Sequence, residues 1–128
     1  MVVLDTHVLI YDALEPKRLS ARARRAIEGA HGPLAASDIS LWEIAMLVSR
    51  GRLDPAADAA SFIEKIVEAR ALRILPVSPQ IAVLAQADEF AHGDPADRII
   101  AATARAHGAA LVSADAQLRR LRSLKVVW

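Results

Sequence analysis

Asp5, Glu43, Asp94, Asp97 and Asp115 are the residues whose type and spacing could do chemistry. Each also has an ordinary structural use. Asp5 ends the apolar run Val2-Val3-Leu4 and could simply cap the helix that follows. Ser40-Leu41-Trp42-Glu43 matches a capping box, yet Ser37-Asp38 offers an earlier and equally good helix start. From that earlier start Glu43 falls in the second turn among apolar neighbours, where a buried carboxylate needs a partner or a cation. Asp94-Pro95-Ala96-Asp97 is good helix-opening chemistry, and its spacing can also bring both acids to one edge of a site. Asp115 follows the apolar stretch Leu111-Val112 by a short turn and could be one more cap.

Joint placement separates the functional reading from the structural one. Asp5 and Asp115 follow strands, whereas Glu43, Asp94 and Asp97 lie in the opening turns of helices. In a parallel α/β sheet these positions share the carboxyl-end rim, where ligands bind. Several carboxylates meeting there repel one another unless a cation is held between them. Oxygen-only ligation is the preference of Mg²⁺ or Mn²⁺. Such an ion lowers the pKa of an attacking water and neutralises charge on a phosphodiester, so no nucleophilic side chain is needed. Thr6, beside Asp5, and Ser113 are candidates to orient a carboxylate or water. The histidines compete poorly: His7 could face the site or pack, and His31, His92 and His107 border glycine-containing breaks without metal-ligand spacing.

The elements that must position these acids alternate. The apolar pattern predicts strands over 2–4, 34–36, 73–77, 109–113 and 125–128. Helices are expected over 6–14, 20–29, 37–51, 54–71, 78–90, 94–108 and 115–121, with a break at His92-Gly93. Ser20 is the expected cap of the second helix and Gly51 the stop signal of the third. Pro76 marks the third strand as an edge or a strand end. Strands alternating with helices predict an α/β fold, a parallel sheet with helices on both faces.

Length and composition bound the rest. At 128 residues the chain suits one domain, 1–128, with a substantial core. Only 4% of residues are aromatic, so no base-stacking platform is visible, and a net charge of +1 names no partner. The absence of cysteine excludes disulfides, zinc–thiolate sites and thiol catalysis, and fits a cytoplasmic protein. No signal peptide or transmembrane span is expected. Candidate nucleic-acid contacts are Arg98 near the acids, then the Arg22, Arg24, Arg25 cluster, then Arg50 and Arg52. Arg98 could equally pair with a neighbouring acid, and the cluster could equally be a solvated helix face.

Four segments together resemble the signature segments of PIN-domain ribonucleases, most closely the VapC-type toxins of bacterial toxin–antitoxin pairs. They are Val3-Leu4-Asp5-Thr6-His7, Ser40-Leu41-Trp42-Glu43-Ile44-Ala45, Asp94-Pro95-Ala96-Asp97-Arg98-Ile99-Ile100-Ala101 and Leu111-Val112-Ser113-Ala114-Asp115. They fall in family order. The resemblance matches Asp5, Glu43, Asp97 and Asp115 to the metal-holding acids and Asp94 to an extra acid of one branch. Asp97 is favoured over Asp94 as the ligand. Ser113 stands where many relatives have Thr, which keeps the hydroxyl. The resemblance implies a PIN-like three-layer α/β/α sandwich with about five parallel strands. It also implies Mg²⁺- or Mn²⁺-dependent cleavage of RNA, a homodimer, and a small antitoxin partner that covers the acidic pocket. Alternatives are a non-catalytic PIN-like partner-binding module and a DNA nuclease. A dehalogenase-like phosphatase wants a second acid two residues after Asp5, where His7 stands, and a phospho-acceptor domain wants an acid pair after the first strand.

Overall fold

The chain's first strand, β1 (Val2–Leu4), is the centre of the sheet. The computed structural model describes residues 1–90 and 93–128. Around β1 lie β2 (Leu34–Ser37), β3 (Arg73–Leu75), β4 (Ala110–Val112) and β5 (Val126–Val127), in the spatial order β3-β2-β1-β4-β5. All pairings are parallel, with Val3 opposite both Ala35 and Leu111 and Leu4 opposite Val112. Every strand therefore ends at the same rim, and β3 takes the edge position that Pro76 predicts.

Side chains alternate between two helical layers because successive residues of a strand face opposite ways. Val3, Ala35 and Leu111 enter one core with Ile81, Phe90 and Ile100. Leu4, Ala36 and Val112 enter the other with Val8, Ala23, Ile44 and Phe62. The first layer holds α5 (Pro79–Leu84) and α6 (Pro95–Ala106); the second holds α1 (Thr6–Leu14), α2 (Ala21–Glu28) and α4 (Ala59–Ala69). Helix α3 (Asp38–Ser49) serves both, with Ile39 packed on the first and Ile44 buried in the second. Small residues on the inner side of α6, Ala101, Ala102 and Ala104, are fully buried and let that helix lie close to the sheet. The three-layer α/β/α sandwich is the fold the sequence predicts. Among the described residues no helix is long and apolar enough to cross a membrane.

Most helix starts follow their local chemistry. Asp5, Ser20, Ser37, Ser78 and Asp94 each accept a bond from a first-turn N–H. Elsewhere the structure departs from the sequence pattern. The helix expected from residue 54 starts only at Ala59, because Ala56 turns left-handed (φ 55°) while Asp54 accepts from its N–H. Asp58 then caps α4 through the N–H and hydroxyl of Ser61. The helix expected over 78–90 stops at Leu84, tightens, and resumes as a 3₁₀ turn over Asp88–Phe90. There the Ala85 carbonyl accepts from Arg98 Nε at 2.8 Å, outside the helix ladder. The segment 115–121 forms only a 3₁₀ turn over Leu118–Arg120, and β4 and β5 are shorter than expected. Of the break expected at His92-Gly93, His92 lies outside the described residues.

Candidate active site

The carboxyl ends of adjacent strands β1 and β4 build the floor. Asp5 N–H continues the ladder to the Val112 carbonyl at 3.0 Å, which fixes the Asp5 side chain at the rim. Its Oδ1 accepts from the Thr6 N–H at 2.8 Å, and its Oδ2 accepts from the Ser113 hydroxyl at 2.6 Å. Asp5 is thus both a helix cap and a buried, oriented carboxylate. Ser113 Oγ also accepts from the Asp115 N–H at 3.1 Å, so one hydroxyl ties the two acids together. Asp115 in turn holds the N–H groups of Gln117 and Leu118 through its Oδ1.

Helix α3 supplies the third acid. Its cap is Ser37, so Glu43 lies in the second turn, and the capping box at Ser40 is not used. Ser40, Glu43 and Ile44 form its buried side. Thr6 Oγ1, fully buried, donates to Glu43 Oε1 at 2.5 Å and lies 2.9 Å from Ser40 Oγ. A hydroxyl has one proton to give, so Ser40 is the donor in that second contact. Ser40 is the residue that composition and spacing do not single out. Its signal is modest: it precedes Glu43 by three positions on one face of an apolar helix.

Helix α6 brings the remaining acids. Asp94 caps it, accepting from the Ala96 N–H at 2.9 Å, and stays exposed. Asp97 sits in the first turn, half-buried, and its carboxyl is pushed up to about 8. Burial is the largest cause, followed by the negative charges of Asp5, Asp94, Asp115 and Glu43. Burial likewise raises Asp5 and Glu43, against hydrogen bonds from Ser113 and Thr6 that hold them down. All of the acids singled out from the sequence therefore share one electrostatic field, in which charge on any of them raises the proton affinity of another. The side chains bonded to these acids, Ser113 and Thr6, offer hydroxyl oxygens, and with the carboxylates they make an oxygen set that fits a hard divalent cation. Among the described residues no group of three or more His, Cys, Asp or Glu side chains stands close enough, as placed, to hold a metal ion.

Positive groups are arranged differently. His7 is exposed, its ring tilted against Tyr11, and its charge lowers the proton affinity of Asp5 and Glu43. Arg98 turns its Nε to the Ala85 carbonyl and stands 3.5 Å from Gln86 Oε1, joining α6 to the end of α5. Arg24 donates to the Pro16 carbonyl, while Arg22 and Arg25 are exposed on α2.

Comparison with known proteins speaks to family and fold. The PIN domain family model matches residues 2–124. Ribonuclease VapC22 of Mycobacterium tuberculosis is 40% identical over 130 residues, covering 99% of this chain and 98% of that protein. Among solved structures, VapBC2 from Rickettsia felis bound to a DNA fragment from their promoter superposes with a TM-score of 0.72 at 19% identity. It covers 98% of this chain and 97% of that one. A toxin–antitoxin complex from Klebsiella pneumoniae gives 0.67 at 20% identity, covering 97% and 95%. At such identities the structural likeness speaks to fold, and the nearly end-to-end sequence identity carries the closer kinship. The chain belongs to the PIN-domain family, in its VapC branch.

Proposed function

We propose that this chain is the toxin of a VapBC-type toxin–antitoxin pair, an endoribonuclease that hydrolyses RNA phosphodiesters at the Asp5, Glu43, Asp94, Asp97, Asp115 rim. The observation that carries the reading is Asp97, a half-buried carboxyl in the first turn of α6 that burial first, and then the charges of Asp5, Asp94, Asp115 and Glu43, push up to about 8. A half-buried carboxyl so placed is poorly served by solvent alone and well served by a divalent cation. Mg²⁺ or Mn²⁺ fits the oxygen donors, with Asp5, Glu43, Asp97 and Asp115 holding it and Asp94 standing at the outer edge. When bound, the ion supplies water activation at neutral pH and charge neutralisation on the phosphate.

The chain's own residues do the positioning. Ser113 fixes which Asp5 oxygen faces the rim, and Thr6 with Ser40 fixes Glu43. Rigid hydroxyl partners keep the carboxylates placed to hold a cation, which would meet the negative charge that develops on the phosphate. Arg22 and Arg25, exposed on α2, are the candidate RNA contacts, whereas Arg98 and Arg24 donate to the Ala85 and Pro16 carbonyls. The fold neighbours solved as toxin–antitoxin complexes support an antitoxin partner; a homodimer and action in the cytoplasm are what the resemblance to VapC-type toxins implies.

The test uses the purified chain freed of any partner and a mixed structured-RNA pool. Discrete cuts that need Mg²⁺ or Mn²⁺, stop with EDTA, and vanish in folded Asp5→Asn and Asp97→Asn proteins are expected. Cutting that persists in both variants would overturn the site. Absence of both cutting and metal binding would favour a partner-binding module, and cutting confined to DNA a DNA nuclease.

A further inference from the structure

We propose that the β5 edge of the sheet carries the track for the phosphodiester backbone of a single-stranded RNA, with Arg119 and Arg120 its contacts nearest the carboxylates. The proposal rests on the ribonuclease reading above and adds where the substrate chain lies. After Asp115 the sequence has no acid to its last residue, but contains Arg119, Arg120, Arg122 and Lys125. Leu118 and Leu124 are buried and Leu121 packs on the same core, a period of three that leaves Arg119, Arg120 and Arg122 facing solvent. Asp115 anchors this segment to the rim: it accepts from the N–H groups of Gln117 and Leu118, and its carbonyl accepts from Arg119 N–H at 3.1 Å. Arg119 therefore begins one turn from a carboxylate of the site.

The opposite face of the same edge is basic too. Helix α2 packs on β5 through the core that holds Ala23, Ile27 and Val127, and it presents exposed Arg22 and Arg25. Several other guanidinium groups are engaged: Arg98 with Ala85, Arg24 with Pro16, Arg70 with Asp12, Arg105 with Glu89. Among the described residues the guanidinium groups of Arg119, Arg120 and Arg122 make no hydrogen bond or ion pair. Charge explains why such a track is needed. A cluster of carboxylates repels a polyanion, and adjacent cations offset that repulsion. With so few aromatic residues, attraction to phosphates and not base stacking must hold the strand.

The experiment measures binding of a labelled single-stranded oligoribonucleotide pool to the full chain in EDTA, across a salt series. Arg119→Gln/Arg120→Gln is compared with wild type and with Arg73→Gln/Lys65→Gln, which removes equal charge from β3 and α4. Loss of two phosphate contacts should flatten the slope of log affinity against log salt by about 1.4 in the first pair. The control pair should keep the wild-type slope, and thermal melting should match in all three. A wild-type slope in Arg119→Gln/Arg120→Gln, with metal-dependent cleavage intact, would overturn the track and leave the ribonuclease reading standing. Equal flattening in the control pair would also overturn it, as an effect of bulk charge. Failure of the wild-type chain both to bind and to cleave RNA would overturn both.

Discussion

At the residue scale, the buried hydroxyls hold the acids in place against their mutual repulsion. Ser113 is fully buried and serves Asp5 and Asp115 at once. Ser113→Ala removes a donor to a buried carboxylate and an acceptor of a backbone N–H, a loss of about 1.5–3 kcal/mol. Urea unfolding should show that loss, with most of the cleavage activity gone; Ser113→Thr, which keeps the hydroxyl, should restore much of both. Asp97 makes the opposite prediction for stability. Its folded pKa, about 8, lies above the ordinary carboxyl value of 3.8. The folded state therefore binds this proton more tightly than the unfolded chain does, and stability present at low pH is lost as pH rises towards 8. In EDTA at pH 8, Asp97→Asn should melt above wild type by about 4 °C, allowing for solvent screening, or ~1 kcal/mol at this chain length. The same variant should be inactive. A lower melting temperature in calorimetry would show that Asp97 is held by attraction and not strained by repulsion.

At the scale of elements, Arg98 is the tie between α5 and α6. Its bond to Ala85 satisfies a carbonyl at the end of α5, where a cation is also favoured by the helix dipole. Arg98→Gln should lower stability by about 1–3 kcal/mol in urea unfolding, because Gln does not span the same distance with the same fork. It should reduce cleavage by loosening the turn that carries Asp94 and Asp97, while the salt slope of RNA binding stays unchanged. A reduced slope at unchanged stability would instead identify Arg98 as a phosphate contact. The same tie explains where the sequence stops being legible. Helix starts at Thr6, Ala21, Asp38 and Pro95 are written locally, in a cap residue immediately before each that accepts from an N–H one to three positions on. Asp5, Asp94, Asp97 and Asp115 were legible because each stands at such a start or just past a strand end, and Glu43 because a carboxylate in the second turn of an apolar helix calls for a partner. The end of α5 was not, since the group that terminates it is thirteen residues on. The start of α4 offered two aspartates, and only the left-handed turn at Ala56 decides for Asp58. Ser40 reaches Thr6 across thirty-four positions, and Arg119 and Arg120 matter only once the chain past Asp115 is folded against α6. Contacts between elements carry no period or spacing for a sequence to display.

At the scale of the whole molecule, the acidic rim couples metal, protons and folding. Five carboxylates converge from β1, α3, α6 and the segment after β4, so an ion bound among them binds the native chain and not the unfolded one. Such linkage stabilises the fold by about 2.7 kcal/mol when the ion is present at a hundred times its dissociation constant. Melting of the partner-free chain should therefore shift upward with added Mn²⁺ or Mg²⁺. The shift should shrink sharply in Asp5→Asn and Asp97→Asn, whose loss removes ligands. Its pH dependence follows from Asp97, which must lose its proton to act as an anionic ligand. Below pH 8 that proton competes with the ion, so the metal-induced shift should be small at pH 6, grow as pH rises, and level off above 8. Scanning calorimetry at pH 6, 7 and 8, with and without Mn²⁺, reads this directly. A shift equal at all three values would show that the ion does not displace the Asp97 proton. No shift at any pH would remove the metal from the rim and with it the hydrolytic mechanism. A shift that grows from pH 6 to pH 8 would mean that the repulsion acting on Asp97 in the metal-free chain is exchanged for ligation when the ion binds.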